Sequence, residues 1–168
     1  SLEYGINFFD TAEMYPTCPL RAETTGNTEI IIGNWIEKNK SKRPDIILAS
    51  KISGKGYKAV RNGEGINEKS IKIAIESSLK KLKTDYLDLY QLHWPNRGSY
   101  HFRQNWNYNP TTQDTETAKE NILQVLKALS DIQKEGKIRY IGLSNETCWG
   151  TTQFIHYLKE FPNLTLAS

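Results

Sequence analysis

Strand, loop and helix alternate along these 168 residues, which predicts an α/β fold of parallel strands covered by helices. Three observations carry that expectation. Short apolar runs recur at GINFFD, IILASK, LDLYQLH and RYIGLSN, with no hairpin turn between neighbours. Segments with helical periodicity separate them. Each run also ends on polar residues, in turn Asp10, Lys51, His93, and Ser144 with Asn145. An open doubly wound sheet and a closed (β/α)8 barrel both collect functional groups at the carboxyl ends of their strands. Four successive strands bringing polar tips to one mouth fit the barrel better, and alternation places Phe8 with Asp10, Ala49 with Lys51 and Gln91 with His93 on one face.

The elements follow in order. Ser1 to Gly5 reads as the last turn of a helix stopped by Gly5, and Phe8 and Phe9 as a strand buried on both faces. Asn27 or Thr28 opens a helix with Ile31, Ile32, Trp35 and Ile36 on one face. Pro44 and Asp45 end that pattern, and the basic run Lys38, Lys40, Lys42 and Arg43 reads as its solvated end. Ile46 to Ala49 form the second strand. Asn67 caps a helix whose apolar face is Ile71, Ala74, Ile75, Ser78, Leu79 and Leu82. The third strand is closed by Pro95. Residues 96–116 lack periodicity but hold Tyr100, His101, Phe102, Trp106 and Tyr108, as a lid or binding loop would. Thr117 and Glu120 form a capping box for a helix with Ile122, Val125, Leu126, Leu129 and Ile132 on its face, stopping at Gly136. Tyr140 to Leu143 make the fourth strand, a helix follows around Phe154, Ile155 and Leu158, and Leu164 to Ala167 begin a fifth strand.

The bulk properties narrow the function. A net charge of +3 with basic residues scattered among acidic ones leaves no stripe for nucleic acid. Cys18 and Cys148 fit no disulfide framework or metal spacing, and no signal peptide or membrane-length apolar run is present, so a reduced, cytoplasmic setting is expected. No GxGxxG follows a strand, and SGKGYKAVRNGEG lacks the phosphate-loop order; its glycines read as turn chemistry first and as a mobile flank of the site second.

Asp10, Tyr15, Lys51 and His93 at one mouth describe a proton-transfer site without a metal. A phenol ordinarily titrates near about 10, too high for easy proton exchange at neutral pH. An ammonium roughly 4 Å away, at an effective dielectric near 20, contributes about 4 kcal/mol toward phenolate, so Lys51 is expected to lower Tyr15. Asp10 would hold Lys51 protonated and in place, and His93 would donate to a substrate oxygen, orient it, or share the proton. His101 and His156 are assigned packing or solvated roles.

Together GINFFDTAEMY, IILASK, LDLYQLHWP and GKIRYIGLSN resemble the aldo-keto reductases, over nearly the whole chain and in the family's order. The resemblance is closest to a broad-specificity, bacterial-type branch with a long loop after the His-Trp-Pro motif. It implies a (β/α)8 barrel and reduction of an aldehyde or ketone by NADPH, with Tyr15 as general acid or base, tuned by Lys51 and Asp10 and assisted by His93. It also implies cofactor contacts from Asp10, Ser144 and Asn145, substrate contact from Trp94, and a small-molecule carbonyl compound as partner. Residues 1–168 would then be the central part of one barrel domain, with about five of its eight strands, lacking the first strand and helix and the later strands. The same resemblance admits a regulatory, cofactor-sensing subunit like the potassium-channel β-subunits that share the fold.

Overall fold

The computed structural model describes residues 2–18, 21–102 and 104–168. Four strands, β1 (Phe8–Asp10), β2 (Ile47–Ile52), β3 (Leu87–Leu92) and β4 (Ile138–Leu143), form one sheet in chain order. All neighbours run parallel, with Asp10 beside Ala49, Lys51 beside Gln91, and Gln91 beside Gly142. Parallel neighbours need crossovers, and these are the helices α1 (Asn27–Lys38), α2 (Glu68–Leu82) and α3 (Thr115–Lys134), with α4 (Cys148–Tyr157) following β4. The helices line up side by side and meet one face of the sheet, where Leu48, Ile52, Tyr90 and Ile141 join the helix stripes in one core. On the opposite face Phe8, Ile47 and Tyr140 are exposed at 50%, 40% and 48%, while Ala49, Lys51, Leu89 and Gln91 are buried. Among the described residues no helix is long and apolar enough to cross a membrane.

The expected stripes of α2 and α3 are buried at every position, because long 3.6-residue periodicity has one sheet-facing solution. Asn67 caps α2 reciprocally with Ser70. The cap of α3, in contrast, is Asp114: its carboxylate accepts from the Thr117 N–H at 3.0 Å, so the helix begins before the expected Thr117–Glu120 box. The 96–116 segment is also less irregular than expected, with short 3-10 turns at Gln104–Trp106 and Pro110–Thr112.

Four further expectations are corrected. β1 is an edge strand in the described sheet, so Phe8 is not buried on both faces. In α1 Ile36 is buried and Ile32 packs on the core as expected, but the buried face turns toward Glu29 and Gly33, leaving Ile31 68% exposed and Trp35 part-exposed against Phe9. The helix is rotated because Gly33 lies against α2, where a Cβ would come within 2.0 Å of the Lys81 carbonyl oxygen. The third concerns Arg43, which is buried rather than solvated. It pairs with Asp88 Oδ2 at 2.9 Å, donates to Thr84 Oγ1 and to the Ile46 and Tyr86 carbonyls, and stacks on the Tyr86 ring. Arg43 thereby ties the start of β2 to the start of β3. Last, residues 165–168 run along β4 through bonds such as Ala167 N to Ile141 O at 2.9 Å, but make one isolated bridge, Ile141 to Leu166, instead of a fifth strand.

Candidate active site

At the carboxyl ends of the strands the backbone itself delivers the polar side chains. Past β1, the Thr11 N–H bonds Ala49 O at 3.0 Å and the Glu13 N–H bonds Lys51 O at 3.1 Å, so the chain follows β2 beyond its own strand. A turn closed by Tyr15 N to Ala12 O then lifts Tyr15 over the mouth. The Tyr15 carbonyl accepts from the N–H groups of Gly26 at 3.0 Å and Thr28 at 3.3 Å. It thus serves the opening turn of α1, where no side-chain cap exists.

Lys51, which is buried, donates to Asp10 Oδ2 at 2.5 Å and to the Thr11 carbonyl at 2.9 Å. The other Asp10 oxygen accepts from Gln91 Nε2 at 2.9 Å. The Lys51 ammonium lies 5.1 Å from the centre of the Tyr15 ring. His93 is fixed by its N–H to Ile52 O at 2.9 Å, and its Nε2 is 3.5 Å from Tyr15 Oη. Asp10, Tyr15, Lys51 and His93 are therefore brought together as the sequence predicts.

Their titration differs from the expectation. The Tyr15 phenol is pushed above its ordinary 10.0, first by burial and then by the Asp10 carboxylate. Because the lysine cation is held against Asp10, the carboxylate offsets what it could do for a phenolate. Burial, reinforced by the Lys51 charge, lowers His93 to about 4, so the imidazole is neutral at pH 7. Its Nδ1 is sealed without a partner among the described residues. A buried N–H with no acceptor costs more than an idle lone pair, which puts the proton on Nε2. The Tyr15 hydroxyl and His93 Nε2–H then converge on one point.

That point opens into a cavity of about 820 Å³ lined by Met14, Tyr15, Tyr57, His93, Trp94 and Phe102. Trp94 is fixed by its Nε1–H to Lys55 O at 3.1 Å. Ser144 is held by its N–H to Leu92 O, and Asn145, in left-handed backbone (φ 54°), donates from Nδ2 to the His93 carbonyl at 2.9 Å and to Ser144 Oγ. These two residues stand beside the histidine at the same mouth. His101, expected to matter only for packing or solvation, lines the cavity too. His156 is exposed on α4.

Two participants escaped the sequence reading. Glu13, buried, is ion-paired with Arg61 and accepts from the Ser53 N–H at 2.5 Å, and Arg61 also donates to Ser53 O at 2.7 Å. This pair fastens the glycine-rich loop, whose turn reading holds: Asn62 and Gly63 both have positive φ. Gln91, the second, was visible only as a face-mate of His93. Nothing in the spacing marks Glu13 as different from a surface acid.

Comparison with known proteins gives a consistent picture. Residues 1–167 match the model of the aldo/keto reductase family. Protein tas of Escherichia coli is 46% identical over 155 residues, covering 90% of this chain and 43% of that protein. The aldo-keto reductase YhdN of Bacillus subtilis is 37% identical over 147 residues, 86% of this chain and 34% of its own length. A crystal structure of a thermostable aldo-keto reductase in complex with the inhibitor epalrestat superposes with a TM-score of 0.62 at 27% identity, covering 93% of this chain and 42% of that one. The chain thus spans less than half the length of these relatives. The parallel sheet with helices on one face is an open arc of the (β/α)8 barrel, and the chain belongs to the aldo/keto reductase family.

Proposed function

We propose that this chain forms part of one barrel domain of an NADPH-dependent reductase that converts an aldehyde or ketone to an alcohol. The observation that carries the reading is the convergence of the Tyr15 hydroxyl and His93 at the floor of a cavity large enough for a small carbonyl compound. His93, neutral and protonated on Nε2, orients the carbonyl oxygen. Tyr15 gives up its proton to that oxygen as negative charge develops on it. Lys51 and Asp10 hold the floor rigid, with the ammonium 5.1 Å from the centre of the Tyr15 ring. Trp94 forms the substrate-side wall.

The residues beside this floor suit a nicotinamide. Ser144 Oγ accepts from Asn145 Nδ2, which leaves the serine proton free, and Asn145 Oδ1 receives no donor among the described residues. One donor and one acceptor side by side match a primary carboxamide. A bound nicotinamide cofactor supplies the hydride that the carbonyl carbon receives. Asp10, with an exposed carboxylate edge, is assigned to the same side. The two unpaired, exposed cysteines support a reducing, cytoplasmic setting.

The test is consumption of NADPH absorbance by the full-length protein with a panel of aldehydes and ketones, and its pH profile. Turnover should hold steady through neutral pH and fall only above 10.0, the ordinary phenol value, because Tyr15 is shifted upward. No consumption with any member sinks the proposal, and a fall well below pH 10 would restore the lysine-lowered phenol.

A further inference from the structure

The far wall of the cavity belongs to His101. Its ring stacks on the Trp94 indole at 5.7 Å with the planes 22° apart, and meets Phe102 edge-on at 5.0 Å. Neighbours dictate which nitrogen carries the proton. Ser99, which is buried, has one hydroxyl hydrogen and two close partners, the Asn145 carbonyl oxygen at 2.6 Å and His101 Nδ1 at 2.7 Å. A carbonyl oxygen only accepts, so the serine proton lies toward Asn145. His101 Nδ1 must then bring its own hydrogen and donate to Ser99 Oγ. Burial also pushes this imidazole below its ordinary value, keeping it neutral at pH 7. Nε2 is left with a lone pair and no donor among the described residues.

The rest of the wall is aromatic. Phe102 stands edge-on to both His93 at 5.9 Å and Trp94 at 5.4 Å, giving flat faces and ring edges that suit another ring better than a flexible chain. We propose that His101 is a specificity-determining residue whose Nε2 accepts a hydrogen bond from a hydroxyl group on an aromatic carbonyl substrate. The preferred substrates are then hydroxyaryl aldehydes or ketones, bound at two points: the carbonyl at Tyr15 and His93, the hydroxyl at His101. The inference rests on the carbonyl-reductase reading above. A methyl group of similar size at the same ring position would leave Nε2 desolvated and unpaired, which is how a polar site rejects an isostere.

The experiment measures kcat/KM of the full-length protein with NADPH for ortho-, meta- and para-hydroxybenzaldehyde, each against its methyl counterpart. Pairing the substrates within one variant cancels any general loss of activity. At least one hydroxy isomer should exceed its methyl partner by about tenfold more in the wild type than in His101→Phe. Ser99→Ala, which unfixes the tautomer without touching substrate, should shrink the same ratio by a smaller factor. Hydroxy-to-methyl ratios that are the same in wild type and His101→Phe overturn the proposal while leaving the reductase reading intact. No turnover of any aldehyde by the wild type overturns both.

Discussion

The two ends of the sheet use the same chemistry to opposite effect. At the amino-terminal end, Asp88 receives Arg43 at 2.9 Å, Arg139 at 2.8 Å and the Leu48 N–H at 3.0 Å, while both guanidinium groups stack on Tyr86. There a single carboxylate is shared by two guanidinium groups, with each of its oxygens occupied. At the carboxyl end, Lys51 and Asp10 are also paired, yet Thr11 Oγ1, Ser53 Oγ, Tyr57 Oη and His93 Nδ1 are buried without protein partners among the described residues. Buried polar groups are normally satisfied, so a concentration of unsatisfied ones marks an end built for something other than stability. One end clamps strands together. The other keeps hydrogen-bonding capacity in reserve.

This contrast can be broken by mutation. Tyr15→Phe should lower kcat about 10²- to 10⁴-fold, the range for a lost general acid. The melting temperature should stay put, because the hydroxyl's contact with His93 is long at 3.5 Å. A large drop in melting temperature would mean the two ends are alike. Asp88→Ala at the other end reverses the signature: it strands the buried Arg43 guanidinium and should cost about 3–5 kcal/mol of unfolding free energy. The remaining folded protein should turn over at the wild-type rate. A smaller effect should come from His93. Folded, it binds a proton only below about 4, against an ordinary value of 6.5. The unfolded chain takes up that proton first, so stability falls as pH drops from 6.5 toward 4 and is unaffected above. Denaturant titrations across that window should show the wild type losing up to about 3 kcal/mol more than His93→Gln. Equal losses would mean that His93 is not held neutral.

How much of this was legible in the chain depended on how local the cause was. The stripes of α2 and α3 could be read because periodicity over four or more turns leaves one buried face. Asp10, Lys51 and His93 could be placed because strands in parallel α/β folds present their last residues at one edge. Arg43 could not, since a basic residue after a helix reads as solvated until Asp88 and Tyr86, some forty residues later, fold against it. The direction of the Tyr15 shift failed for a related reason. Counting charges near a phenol says nothing about which of them is already neutralised by a partner, and burial and the Asp10 carboxylate both push the phenol upward. The rotation of α1 was set by the close approach of α2 at Gly33, a matter of interhelical distance rather than hydropathy.

The carbonyl of Tyr15 serves the first turn of α1, and Gly26, at the junction, has a positive φ of 85° with the Lys81 side chain where a Cβ would go. Anyone engineering this chain for heat resistance by the usual remedy, an Asp or Ser at the helix start, would meet a site already occupied. The replacement would compete for the amides that tether Tyr15, and durability gained in the helix would come at the expense of where that phenol is held.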